Sequence, residues 1–97
     1  MIVKITHIVC TEKIEEKLEV KHGVTLKEVR QLLLGKPRVR FAEKGYVKDE
    51  DVYAAFGQTF AGRYLVVFFV YKPKQETAII ISGRDMTDKE RKSYAKK

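Results

Sequence analysis

The stretch "RYLVVFFVYKPKQETAIIIS", residues 63 to 82, contains two apolar runs separated by a short polar segment. The first run is apolar on both faces, which is typical of a strand in the middle of a sheet. The segment "KPKQE" at 72 to 76 predicts a hairpin turn, and "TAIIIS" at 77 to 82 predicts its return strand. We therefore expect a fold organised around an antiparallel sheet.

Three further segments that precede this hairpin also predict strands. They are "IVKITHIVC" at 2 to 10, "RVRFA" at 38 to 42 and "DVYAAFGQ" at 51 to 58. A turn that contains Gly62 connects the last of them to the hairpin. The predicted sheet has four to five strands and is mainly antiparallel.

Capping residues predict where the helices begin and end. Thr11 can cap a helix that ends at Gly23, where a left-handed cap is common. Capping boxes at 25 to 28 and at 87 to 90 predict the starts of a second and a third helix. The resulting order, β-α-α-β-β-β-β-α, predicts an α+β fold with two N-terminal helices and one C-terminal helix.

Charge is the most informative feature of the composition. The 97 residues, which we expect to form a single domain over 1–97, carry 20 Lys and Arg against 13 Asp and Glu, a net charge of +7. The bases are concentrated at 36 to 48 and 84 to 97, and the acids at 12 to 19 and 49 to 51. A basic sector beside acidic ones favours a polyanionic partner over evenly distributed solubilising charge.

Several classes of function lack their usual motifs. Cys10 is the only cysteine, which fits a reducing compartment and a packing role for the thiol. No signal peptide is recognisable, and the apolar run at 64 to 71 is too short to cross a bilayer, so we expect a cytoplasmic protein without a membrane partner. The sequence contains neither a paired-cysteine nor an H-x-x-x-H motif, so neither a metal nor a cofactor is expected.

The residue types that remain suit the cleavage of RNA. RNA supplies its own nucleophile, the 2'-hydroxyl, so a protein needs cations around the dianionic transition state and a means of moving protons. Arg84 follows the return strand after one glycine, and a guanidinium fixed there could bind phosphate with two parallel hydrogen bonds.

Three blocks of the sequence resemble a known family, the BrnT-type toxins. They are "KHGVT" at 21 to 25, "GRYLVVFFVY" at 62 to 71 and "IIISGRDMTDKERKSY" at 79 to 94, and their order and spacing match over nearly the whole chain. The resemblance implies a RelE-like fold and RNA cleavage that inhibits translation. It also implies a ribbon-helix-helix antitoxin encoded alongside, and it is compatible with a homodimer within the toxin–antitoxin complex.

The resemblance also implies a set of site residues. The family's Lys-His-Gly corresponds to residues 21 to 23, its strand-end arginine to Arg84, and its terminal Glu-Arg to Glu90 and Arg91. The predicted catalytic residues are therefore Lys21, His22, Arg84 and Arg91. From the basic segments and the aromatic strand residues, the predicted RNA contacts are Arg38, Arg40, Lys44, Tyr53, Arg63 and Lys92. We expect Lys21 or His22 to border one basic concavity together with Arg84.

Each assignment has a structural alternative. His22 and Lys21 could simply complement a helix end, and Arg84 could form a surface ion pair with Asp85 or Asp88. The bases of the last helix could be solvated, and Tyr53 could be a packing residue. At the level of function, the alternative to a metal-independent endoribonuclease is a non-catalytic domain that binds RNA or an antitoxin on the same scaffold. A third, weaker option is a degenerate toxin that is kept only to bind the antitoxin.

Overall fold

The computed structural model of the chain describes residues 3–48 and 50–96. Within these residues the elements are β1 (His7–Val9), α1 (Glu12–His22), α2 (Leu26–Leu34), β2 (Arg38–Glu43), β3 (Val52–Gln58), β4 (Tyr64–Lys72), β5 (Thr77–Asp85) and α3 (Asp88–Ala95). The predicted element order and the α+β architecture are confirmed. Ile2 of the predicted first strand and Asp49 of the predicted acidic loop lie outside the described residues.

In the described part of the chain, five strands form one sheet in the order β1-β5-β4-β3-β2. β1 pairs with β5 in parallel, and the three other pairings are antiparallel. β4 is the central strand, as its two apolar faces predict. β1 is shorter than predicted because its partner β5 begins only at Thr77, and the backbone N–H groups of Thr6 and His7 donate instead to the carbonyl of Glu76.

α1 and α2 cover one face of the sheet, which we call the helix-pair face. The core residues on this face come from both helices, from the connection between them and from three strands. They are Leu18, Val24, Val29, Leu32, Leu33, Ala55, Leu65, Val67, Phe69, Ala78 and Ile80. Gly23 ends α1 with φ 61°, and Thr25 and Glu28 form the predicted capping box at the start of α2.

An irregularity in β5 determines which way its last residues face. Ile80 pairs with Phe69 and Ser82 pairs with Phe68, so Ile81 is an extra residue, a β-bulge. Before the bulge, Ala78 and Ile80 face α1 and α2. After it, Gly83 faces the helices, and a Cβ added to Gly83 would lie 3.3 Å from Cδ2 of Leu18. Arg84 consequently points to the opposite face of the sheet.

α3 lies against that opposite face, which we call the α3 face. Thr87 and Glu90 form the predicted capping box at its start. None of the residues Asp88–Ala95, all of which are described, is fully buried. α3 is therefore held on the sheet by half-buried side chains and polar contacts, and the strand β5 that leads to it extends to Asp85 instead of ending at the predicted Ser82.

Candidate functional site

Arg84 and Glu90 join α3 to the sheet. Nη1 and Nη2 of Arg84 donate to the two carboxylate oxygens of Glu90 at 2.7 and 3.1 Å, and Nη1 also donates to the carbonyl of Asp85. The hydrogen bonds from Arg84, assisted by the backbone N–H of Thr87, lower the pKa of Glu90 to about 2 despite its partial burial. The ion-pair partner of Arg84 is thus Glu90, and not Asp85 or Asp88 as the structural alternative expected.

A chain of arginine and tyrosine contacts runs along the same face. The Arg91 guanidinium lies over the Tyr64 ring at 4.3 Å from its centroid. Tyr64 meets Tyr94 edge to face at 6.1 Å, and the Arg38 guanidinium lies 5.6 Å from the Tyr94 centroid. Arg38 also donates to the carbonyl of Lys96 at 3.0 Å, which connects β2 with the C-terminal end of α3.

Between α3 and strands β2 and β3 lies an open cleft of about 230 Å³. Its side chains combine three cations, one carboxylate, one aliphatic hydroxyl and two aromatic rings; they belong to Arg38, Arg40, Phe56, Lys89, Glu90, Ser93 and Tyr94. The carboxylate is already paired with Arg84, so the cleft presents net positive charge. Arg40 and Lys89 have no ion pair or side-chain hydrogen bond with the residues that the structure describes.

Five of the predicted site residues lie on the α3 side of the sheet, in two groups. Arg38 and Arg40 line the cleft, and Arg84 binds its Glu90. Arg91 and Lys92 lie beside Tyr64, in a separate pocket on the other flank of α3. Of the basic segment at 36 to 48, Arg38 and Arg40 lie on this face with the last helix. Arg38 and Arg40 share a face of β2 because side chains two positions apart project to the same side of a strand.

Lys21 and His22 lie elsewhere, so the predicted concavity shared with Arg84 does not form. Both residues end α1 on the helix-pair face, whereas the bulge at Ile81 turns Arg84 to the α3 face. The charge of His22 acts instead on Asp85, whose pKa is lowered mainly by hydrogen bonds from Arg63 and additionally by His22.

Arg63 is a structural residue in this fold, which revises its predicted role in binding RNA. Nε and Nη2 donate to the carboxylate of Asp85 at 2.7 and 3.1 Å, and Nη1 approaches both carboxylate oxygens of Glu28 at 3.3 Å. The two Nη atoms also donate to the backbone carbonyls of His22 and Gly23. All the N–H donors of this guanidinium are engaged within the protein, so none remains for a phosphate.

Tyr53 and Lys44 are likewise outside the α3 face cluster. Tyr53 packs against the core on the helix-pair face, with its ring 6.1 Å from Phe41 and 6.0 Å from Phe69. This is the packing alternative, and it follows from the alternation of β3, in which odd-numbered residues face the helices. Lys44 is exposed in the connection after β2.

Four residues of the cleft were not among the predicted site residues: Phe56, Lys89, Ser93 and Tyr94. Phe56 is the cross-strand partner of Arg38, so a correct β2–β3 register would have placed it on the same face. Tyr94 lies four residues after Glu90 on α3, the spacing that puts two helical side chains on one side.

The lone thiol and possible metal ligands add no second site. The pKa of Cys10 is raised by burial and by the nearby Glu15 carboxylate, so its thiol stays protonated and unreactive near neutral pH. Over residues 3–48 and 50–96, no group of three or more His, Cys, Asp or Glu is placed to hold a metal ion. In the same ranges, no helix has the length and apolar character needed to span a bilayer.

A family model described as "Ribonuclease toxin, BrnT, of type II toxin-antitoxin system" matches residues 11–90. The matched region includes both helices of the helix-pair face, strands β2 to β5 and the Arg84–Glu90 pair. No curated protein matches the chain.

Proposed function

The chain belongs to the BrnT family of ribonuclease toxins of type II toxin–antitoxin systems, and on this basis we propose that it is an endoribonuclease whose substrate lies along the α3 face. The observation that carries this proposal is the placement of five cations, Arg38, Arg40, Arg84, Arg91 and Lys92, on that one side of the sheet, beside half-buried aromatic rings. A cationic surface with interleaved aromatic residues is suited to single-stranded RNA.

The proposed reaction uses the RNA's own 2'-hydroxyl and no metal. The 2'-oxygen attacks the adjacent phosphorus, the P–O5' bond breaks, and the products are a 2',3'-cyclic phosphate and a 5'-hydroxyl. One proton leaves the 2'-oxygen and one reaches the 5'-oxygen. Arg84 and Arg91 stabilise the extra negative charge on the phosphate in the transition state.

Arg84 has donors left for this role. The three hydrogen bonds to Glu90 and Asp85 use three of the five N–H groups that a guanidinium carries. The same bonds fix the orientation of the guanidinium, so little reorganisation is needed when phosphate binds. Glu90 is thereby a positioning residue, and Arg84 is the proposed catalytic one.

The proposal has consequences for the cell. Cutting RNA in the cytoplasm inhibits translation, and an antitoxin of the ribbon-helix-helix type would neutralise the toxin by covering its basic face. A homodimer of the toxin within that complex is part of the same proposal.

One observation favours the second candidate, a non-catalytic domain that binds RNA or antitoxin. The Arg84–Glu90 pair is bidentate, and Glu90 also caps α3, so the pair could serve only to fasten the helix. The two functions predict different effects on RNA cleavage and on the melting temperature when either Arg84 or Glu90 is replaced.

The test compares Arg84→Ala, Arg84→Lys and Glu90→Gln with the wild-type protein. Cleavage of a labelled single-stranded RNA and thermal unfolding are measured on each purified variant. If Arg84 is catalytic, Arg84→Ala loses roughly a hundredfold or more of cleavage, the scale expected for removing a preorganised donor. Arg84→Lys recovers little because an ammonium cannot reproduce the planar fork. Glu90→Gln loses less cleavage than Arg84→Ala, because glutamine can still complete the capping box and accept one hydrogen bond from Arg84, whose charge stays.

The fastening alternative predicts a different pattern. Arg84→Ala and Glu90→Gln would then lower cleavage and the melting temperature together, because both break the same contact. Arg30→Ala is the matched control, since Arg30 is an exposed arginine on α2, on the opposite side of the sheet. A wild-type protein that binds this RNA without cutting it would refute the endoribonuclease proposal in favour of the binding domain.

A further inference from the structure

We infer that the cleft between α3 and strands β2 and β3 binds one unpaired nucleobase of the RNA strand, next to the phosphate that Arg84 contacts. This inference rests on the proposed function, because it assumes that RNA lies along the α3 face. It adds a base-binding subsite to a surface whose other proposed contacts are with phosphate.

The aromatic lining of the cleft carries the first step of the argument. Phe56 projects from β3 and Tyr94 from α3, and both are half-buried, so each ring leaves part of its surface open to the cleft. A flat base gains stacking energy on such a ring whatever its sequence identity. Tyr94 is also held in place by Tyr64 on its edge and by the Arg38 guanidinium, so it does not need to be ordered by the ligand.

The charges around the cleft suit the phosphates on either side of such a base. Arg40 and Lys89 line it from β2 and from α3, and neither side chain is engaged by another group in the described part of the chain. Phosphates flanking a bound base could therefore be contacted from both sides of the cleft, with the Ser93 hydroxyl between.

Glu90 connects the cleft to the proposed catalytic arginine. Its side chain lines the cleft and at the same time binds Arg84 at 2.7 Å. A base in the cleft is thus separated from the Arg84 guanidinium by a single side chain, which is the arrangement expected if a neighbouring nucleotide carries the scissile phosphate.

The size of the cleft limits what it can hold. Its volume of about 230 Å³ is below the roughly 300 Å³ at which pockets for larger ligands begin. One nucleoside-sized group fits, whereas a dinucleotide cofactor does not. An acidic segment of a protein partner could also meet this charge, but the open aromatic rings give a base a contact that an acidic side chain cannot use.

The experiment measures coupling between one base and one aromatic side chain. The probe is a 2'-O-methyl RNA hexamer, which cannot be cut, labelled with a fluorophore and made with an abasic site at each position in turn. Dissociation constants are obtained by fluorescence anisotropy for the wild-type protein, Tyr94→Leu and Phe56→Leu. Phe41→Leu is the matched control, because Phe41 is 53% exposed on the helix-pair side of β2.

We expect a single abasic position to weaken wild-type binding between roughly fivefold and a hundredfold. At that position alone, the abasic site should weaken binding to Tyr94→Leu or Phe56→Leu only slightly. Binding to Phe41→Leu should be weakened by the abasic site as much as binding to the wild-type protein. Two variants are used because Tyr94 also helps to hold α3, so Phe56→Leu tests the same cleft from the strand side.

The inference is overturned if every abasic position has the same effect in the variants as in the wild-type protein, or if the hexamer does not bind at low salt. The result can be separated from that of the proposed function. Arg84-dependent cleavage without coupling between an abasic position and Tyr94 or Phe56 would refute the base site alone. Such coupling in a protein that never cuts RNA would refute the endoribonuclease proposal alone.

Discussion

Replacing Arg63 with methionine should destabilise the fold more than any other exchange of a charged residue on the helix-pair side. The Arg63 guanidinium joins three separate parts of the chain: Asp85 at the end of β5, Glu28 in the first turn of α2, and the carbonyls of His22 and Gly23 between the two helices. Methionine keeps much of the aliphatic packing but removes every donor.

The size of the effect can be estimated from these contacts. A hydrogen bond to a charged group contributes about 1.5–3 kcal/mol, and breaking a fully buried ion pair costs about 3–5 kcal/mol. The side chain of Arg63 is 29% exposed and that of Asp85 is 60% exposed, so water replaces part of what is lost. We therefore expect the free energy of unfolding to fall by about 2–3 kcal/mol, which corresponds to roughly 10–20 °C in Tm for a domain of this size.

Urea and thermal unfolding followed by far-UV circular dichroism would measure this loss. Arg30→Met serves as the control, because it removes an exposed arginine from the same helix layer. A double-mutant cycle with Asp85→Asn assigns the share that belongs to the Arg63–Asp85 pair. Surface substitutions ordinarily change the free energy of unfolding by no more than about 0.5 kcal/mol. A change for Arg63→Met within that range would refute the structural role of Arg63.

Two further predictions concern pH and the histidine at the end of α1. The pKa of Glu90 is lowered from 4.5 to about 2, so its ion pair stabilises the fold above that range. The free energy of unfolding should therefore fall as the pH drops from about 4.5 to 2. Glu90→Gln should flatten this part of a pH–stability curve. His22→Ala should slow RNA cleavage at neutral pH by less than about tenfold, since His22 lies away from the α3 face; a loss of about a hundredfold or more, the range of a general acid or base, would restore its predicted catalytic role.

Much of the fold could be predicted because the signals are local. Gly23 and the two capping boxes define the helix ends through neighbouring backbone groups, and the two apolar faces of β4 place it at the centre of the sheet. Such features depend on residues that are close in sequence, and the structure confirms them.

The candidate site was predicted less completely because it depends on a register. Continuing the alternation of Ala78 and Ile80 would place Arg84 on the helix-pair face, near His22, but the extra residue Ile81 turns it to the other side. Nothing in the run "TAIIIS" marks which isoleucine is the bulge. Arg63 was misassigned for a related reason, since its partners Glu28 and Asp85 come close only after the sheet and the helices have packed.

The parallel pairing of β1 with β5 affects the order in which the molecule can be completed. His7 pairs with Thr77, so the first of the five described strands to be synthesised must wait for the last one before its hydrogen bonds can form. Such long-range pairings close large loops and are slow relative to helices and hairpins. During translation β1 therefore remains an unpaired strand, open to other chains, until β5 has emerged. β5 also contains Arg84 and leads into α3, so the α3 face is assembled at the same late stage. For most of its synthesis, a nascent chain therefore lacks the α3 face.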